Sequence, residues 1–149
     1  MPIKKALVYR LPSRFIVRPD STTTSGIGIA SEPYIVLAAQ TSAAELGKAV
    51  SHALNHSFDS SSPPLSWTRL AATRLAAAGV RSEAAFQKLA SLVSLTFDGK
   101  IVTFTPHRNG GAMGNGKGFS PIGECEVRAE PTTQEFSGAT ALKAFNLCT

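Results

Sequence analysis

Three groups of residues in this chain have side chains suited to chemistry. The first lies in the segment Thr105 to Pro121, where Gly111, four intervening residues, Gly116 and Lys117 match the opening of a phosphate-cradling loop. Such a loop continues with a Ser or Thr that holds magnesium, then with a helix whose N-terminus faces the phosphates. Here Gly118 follows Lys117, and Ser120-Pro121 with Gly123 soon after works against a helix. The segment reads instead as a long, glycine-punctuated surface loop, of a length that is usually functional or mobile, and it is taken as a binding loop. The second group is His52 and His56, at i and i+4, a spacing that suits zinc. Without an adjacent glutamate or a third ligand, the pair reads as surface or helix-end histidines. The third is His107, beside Arg108 and Asn109, which could act as acid or base. It has no flanking carboxylate before Glu124, and no serine sits in a Gly-x-Ser-x-Gly elbow. The expectation is no enzyme, with no catalytic residue, metal or cofactor.

The elements that position these residues follow from hydrophobic period and punctuation. Leu7 to Tyr9 and Phe15 to Val17 are short apolar runs around Leu11-Pro12-Ser13, which predicts two strands and a turn. Gly26 to Ile29 reads as a glycine-rich strand, and Tyr34 to Ala38 as a buried central strand. Ser42-x-x-Glu45 is a capping box opening a helix over about 43 to 55, with Leu46, Val50, Ala53 and Leu54 on one side. After a linker from Ser60 to Pro64, Trp67 begins a second helix that stops at Gly79, and Ser82 caps a third carrying Phe86 and Leu89. Leu92 to Phe97 and Ile101 to Thr105 flank Asp98-Gly99, which favours a tight hairpin. A strand around 124–129 comes next, and Thr132-x-x-Glu135 reads as a second capping box, opening a helix through Leu142, Phe145 and Leu147. The expected fold is α+β, a single domain over residues 1–149, with a largely antiparallel sheet and about four helices mainly on one face.

Bulk properties narrow the class. At 149 residues and 43% hydrophobic, the chain is long enough to bury a core without a disulfide or a metal. Its opening residues have only a short apolar run, no run approaches a membrane span, and a cytoplasmic location is expected. Cys125 and Cys148 lie in no ligand spacing, and two buried reduced thiols are the expectation. The net charge of +5 is uneven: Lys4, Lys5, Arg10, Arg14 and Arg18 stand against Asp20 alone in the first twenty residues. Such an excess permits nucleic-acid contact, but aromatic residues do not alternate with the cations as a stacking platform requires. In the acidic stretch Glu124 to Glu130, charged and apolar residues alternate. With strand period 2, Cys125, Val127 and Ala129 face the core while Glu124, Glu126 and Arg128 share the solvent face. That row is either a charged edge strand or a recognition face.

Four pieces, in order, carry a resemblance: Arg18-Pro19-Asp20 through Gly26-Ile27-Gly28 to Glu32-Pro33; Ser42 to Gly47; Ala78 to Ser82; and Thr105-Pro106-His107-Arg108-Asn109 with Gly118-Phe119-Ser120-Pro121. Together they resemble the contact-dependent growth inhibition immunity proteins (CdiI), of the group found in Burkholderia-like systems. The resemblance covers roughly residues 15–148. It implies a cytosolic antidote with no active site, which binds the C-terminal toxin domain of its CdiA protein as a 1:1 heterodimer. The toxin would commonly be a nuclease, often one that cuts tRNA, occluded at its active site or an exosite. No membrane and no direct nucleic-acid contact are implied. The expected toxin-binding residues are Glu124, Glu126, Glu130, His107, Arg108, Asn109, Lys117 and Phe119. A nuclease cleft is usually cationic, so a +5 inhibitor must use this local acidic row, cover an exosite, or meet an acidic toxin. The alternative is a small basic nucleic-acid-binding or accessory domain using the Arg/Lys-rich N-terminal strands.

Overall fold

The computed structural model describes residues 3–22, 28–30, 34–57, 67–114, 118–131 and 133–147. The N-terminal runs form β1 (Lys4–Leu11) and β2 (Arg14–Thr22), longer than their apolar cores. They are followed by β3 (Gly28–Ala30), β4 (Ile35–Ala38), α1 (Ala43–Asn55), α2 (Trp67–Ala78) and α3 (Glu83–Leu89). The second half holds β5 (Ser91–Phe97), β6 (Val102–Asn109), β7 (Phe119–Pro121), a 3-10 turn (Gly123–Cys125), β8 (Val127–Ala129) and α4 (Gln134–Ala144). All eight strands join one sheet of order β3-β2-β1-β5-β6-β7, with β4 also beside β2 and β8 also beside β6. Every pairing is antiparallel, as the α+β expectation requires.

β1 is the centre of this sheet, and both of its faces are buried. Ala6 and Val8 point to the face shared by Phe15, Val17, Val93, Leu95, Val102 and Phe104, which α1 and α4 cover. Tyr9 and Leu11 point to the other, where Ile16 and Leu92 meet Ala78 of α2 and Phe86 of α3. The helices thus divide between the faces, the larger core lying under α1 and α4. These two cross closely because small residues meet there. A Cβ placed on Gly138 would lie 1.8 Å from the Ala43 carbonyl oxygen and 2.8 Å from the Gly47 nitrogen.

The starts of α1, α3 and α4 are capped by hydroxyls. Ser42 and Ser82 accept the N–H three residues on at 3.1 Å, as the sequence predicts. At α4 the cap is Thr133, accepting from Phe136 N–H at 3.0 Å. The expected box at Thr132 and Glu135 is displaced by one residue; Thr132 lies outside the described residues.

Two strand expectations are corrected. β4 is an edge strand with Val36 47% exposed, not a central one. Its apolar run arises because Ile35 and Leu37 pack against the main core. The Asp98-Gly99 hairpin closes through residues 98–101, since Phe97 pairs with Val102. Asp98 Oδ1 accepts from the Lys100 and Ile101 N–H groups at 2.9 and 2.8 Å, and Gly99 takes φ +104°. The hydrogen bond from Ile101, then that from Lys100, holds the Asp98 carboxyl below its ordinary pKa. A carboxylate with a depressed folded pKa adds stability above its unfolded value, near 3.8, and loses it as pH falls through the folded one. Melting curves of the parent and Asp98→Ala should therefore differ at neutral pH and draw together in strong acid; an equal gap at every pH would refute this.

Candidate protein-docking site

The segment from Thr105 to Pro121 begins and ends as strand. β6 runs on to Asn109, and β7 returns along it with Asn109 opposite Phe119, Arg108 opposite Ser120 and His107 opposite Pro121. The hairpin is closed by Gly110 N–H to Gly118 O at 2.8 Å and Gly118 N–H to Gly111 O at 2.9 Å. Gly111, Gly114 and Gly118 take φ +82°, +94° and +86°, so the glycines serve a left-handed reversal at the hairpin tip. Lys117 lies outside the described residues.

Strand alternation sends the neighbours His107, Arg108 and Asn109 to different tasks. Asn109 is a latch. Its Nδ2 donates to the carbonyls of Gln87 and Ala90, the latter at 2.8 Å, and its Oδ1 accepts from Gly111 N–H at 2.9 Å and Gln87 Nε2 at 2.8 Å. These bonds tie the end of α3 to the hairpin. Asn109→Ala should lower unfolding stability by about 1–2 kcal/mol in a urea titration; an unchanged midpoint would refute the latch. Phe119 packs toward Tyr9, the ring centroids 6.0 Å apart, at the margin of the smaller core.

His107 is half-buried, and its Nε2 lies 2.9 Å from Ser94 Oγ, a serine–histidine contact that sequence spacing does not reveal. Nothing orients the imidazole from behind, because Nδ1 is buried without a hydrogen-bond partner. Burial holds its pKa below the ordinary histidine value. The pair lacks the third group that fixes tautomer and supports an imidazolium.

The acidic row does not form as a strand face. Residues 123–125 turn instead, with Cys125 N–H to Ile122 O at 3.0 Å and Glu126 N–H to Gly123 O at 3.3 Å. Buried Ile122 is pinned to the sheet through Pro106 O at 2.9 Å, so only Val127 to Ala129 remain strand. Cys125 is half-buried and disulfide-bonded rather than a reduced core thiol, and the chain's other cysteine is Cys148. Of the three glutamates, Glu126 is held by Arg128 at 3.2 Å and Glu130 by Lys100 at 3.7 Å, while Glu124 is exposed on the turn. They lie along the outer edge of β6, away from its Arg108 end.

Near that end lies a cleft of about 310 Å³, lined by Ser91, Leu92, Pro106, Arg108, Phe145 and Leu147 among others. Arg10 and Ser91 are opposed on β1 and β5, and continuing the β5–β6 register from Val93 and Pro106 sets Arg108 opposite Ser91. Arg10, Ser91 and Arg108 therefore form one row across three strands, on the face that α4 covers. Arg10 stands 4.7 Å over the ring of Phe145.

Most of the other N-terminal cations have structural work. Arg18 is buried, donating to Tyr9 Oη at 3.3 Å and to Asp20 at 3.4 Å. Arg14 donates to Ala77 O at 3.0 Å, at the end of α2, and Lys4 reaches Asn55 at 3.5 Å. The basic face that nucleic-acid binding would use is largely consumed inside the fold.

No protein-family model matches this sequence, and no curated protein matches it. Structural likeness is extensive. A chain of the CdiA-CT/CdiI toxin and immunity complex from Yersinia pseudotuberculosis superposes with a TM-score of 0.79, covering 100% of this chain and 99% of that one at 15% identity. The fold is similar to that of a chain in that complex. A protein of unknown function from Neisseria meningitidis is similar at TM-score 0.80 and 16% identity, over 97% of this chain and 94% of that one. At these identities the likeness is one of fold. Among the described residues no helix is long and apolar enough to cross a membrane.

Proposed function

We propose that this chain is an immunity protein of contact-dependent growth inhibition, of the CdiI kind found in Burkholderia-like systems. It acts as one domain in the cytoplasm and performs no reaction. Its partner is the C-terminal toxin domain of the cognate CdiA, a nuclease and by preference a tRNase, which it occludes in a 1:1 complex. The observation that carries this reading is the end-to-end match to a chain of a toxin and immunity complex. It is supported by the serine–histidine contact, which lacks an orienting third group. Residues 107–109 and 119, with Glu124, Glu126 and Glu130, remain the proposed contact region.

The test is direct. The purified chain should form a 1:1 complex with the toxin domain encoded upstream, with nanomolar or tighter affinity. Its expression should protect cells producing that toxin. A chain that neither binds the domain nor protects the cells would end the proposal.

A further inference from the structure

Two arginines at one end of the sheet have no charge partner among the described residues. The Arg10 side chain makes no hydrogen bond or ion pair among the described residues, and neither does that of Arg108. A buried α-helix end could have satisfied them, but the last turn of α4 is already capped. The Ala141 and Lys143 carbonyls accept from the N–H groups of Phe145 and Asn146, Ala144 from Leu147, and Leu142 from the Asn146 side chain. A second hollow of about 280 Å³ shares Ser91 with the first and includes Arg10 in its wall. Among the described residues neither lining contains an Asp or Glu.

We infer that this double hollow is the recognition site for an acidic segment of the partner protein, with carboxylates seated on Arg10 and Arg108 and an apolar side chain against Phe145 and Leu147. The inference rests on the immunity reading and names the partner's chemistry within it. The two arginines flank a serine on adjacent strands, so their Cα atoms lie about 10 Å apart. That span suits two carboxylates of one peptide segment. Between them the small Ser91 side chain leaves room for backbone to approach. Arg10 is held in place by its stack on Phe145, which reduces the ordering cost of a carboxylate contact. Complementarity in sign selects an acidic peptide, and the hydrophobic floor selects peptide over nucleic acid. If the toxin is a nuclease, its nucleic-acid groove is cationic, and a cationic inhibitor site must grip the toxin elsewhere.

The experiment has two arms. In the first, affinity for the upstream-encoded toxin domain is measured for the parent chain, for Arg10→Glu/Arg108→Glu and Arg10→Gln/Arg108→Gln, and for Lys48→Glu on the exposed side of α1, each checked by circular dichroism. The charge reversal should weaken binding by about 100-fold or more and flatten its salt dependence, and the glutamine pair should fall between. The Lys48 variant should change it by less than about threefold. Binding by a folded reversal variant within threefold of the parent overturns the inference and leaves the immunity reading standing.

The second arm needs no toxin. A capped peptide Glu-Asp-Phe-Glu-Asp is titrated into the labelled chain and followed by amide NMR. Shifts at Ser91, Arg108 and Phe145 that disappear in the glutamine pair support the site. Absent shifts overturn it, as does equal response to a Lys-for-acid peptide or displacement by a short single-stranded oligonucleotide. A parent chain that fails to bind or protect against its toxin sinks the immunity reading, while this arm still judges the site.

Discussion

Gly138→Ala should be among the most damaging single-methyl changes in this protein. The added carbon would sit 1.8 Å from the Ala43 carbonyl oxygen and 2.7 Å from its carbonyl carbon. Those atoms belong to helix backbone, so no side-chain rotation relieves the clash. α1 and α4 would have to part, loosening Leu46, Ala49 and Val50 on one side and Ala141, Ala144 and Phe145 on the other. An alanine in a helix interior normally gains about 1 kcal/mol over glycine. Here overpacking wins: a net loss of about 3 kcal/mol is expected, lowering the melting temperature by roughly 6–12 °C. Calorimetry decides the point, and a variant as stable as the parent would show that the helices do not cross this closely.

Breaking the disulfide at Cys125 should cost a similar amount. The chain's other cysteine, Cys148, lies outside the described residues; a bond between the two would close a loop of about two dozen residues, worth roughly 3 kcal/mol in unfolded-state entropy. Cys125→Ser, or a thiol reductant added to the parent, should lower the urea midpoint by equal amounts. The reductant should leave the variant unmoved. Mass spectrometry of the alkylated chain under non-reducing conditions counts the thiols, and two free thiols in the parent would refute the bond.

What the sequence made legible was local. The Ser42 box and the one-sided stripe from Leu46 to Leu54 locate α1 at the residues observed, and Gly79, at φ +71°, ends α2 where a left-handed cap was expected. The antiparallel α+β class was also legible, because helix and strand periods alternate cleanly. What depended on long-range pairing was not. Ile35 to Ala38 is apolar enough for a central strand, and only the register against β2 shows that it lies at an edge. At the candidate site Arg108 was visible as a cation near a loop, whereas Arg10 and Ser91 join it only through strand register, from positions far away in the chain. The acidic row failed for the converse reason: alternation was present in the residues, but a 3-10 turn and two ion pairs claimed them first.

The two longest outer strands, β2 and β6, are each bordered by a pair of short ones: β3 and β4 on one side, β7 and β8 on the other. Among the described residues no free rim of the sheet therefore runs for more than four residues. A rim so interrupted is a poor template for stacking one copy on the next. For a chain acting as proposed, an antidote already waiting when the poison arrives, such a rim would allow stockpiling without copies stacking edge to edge.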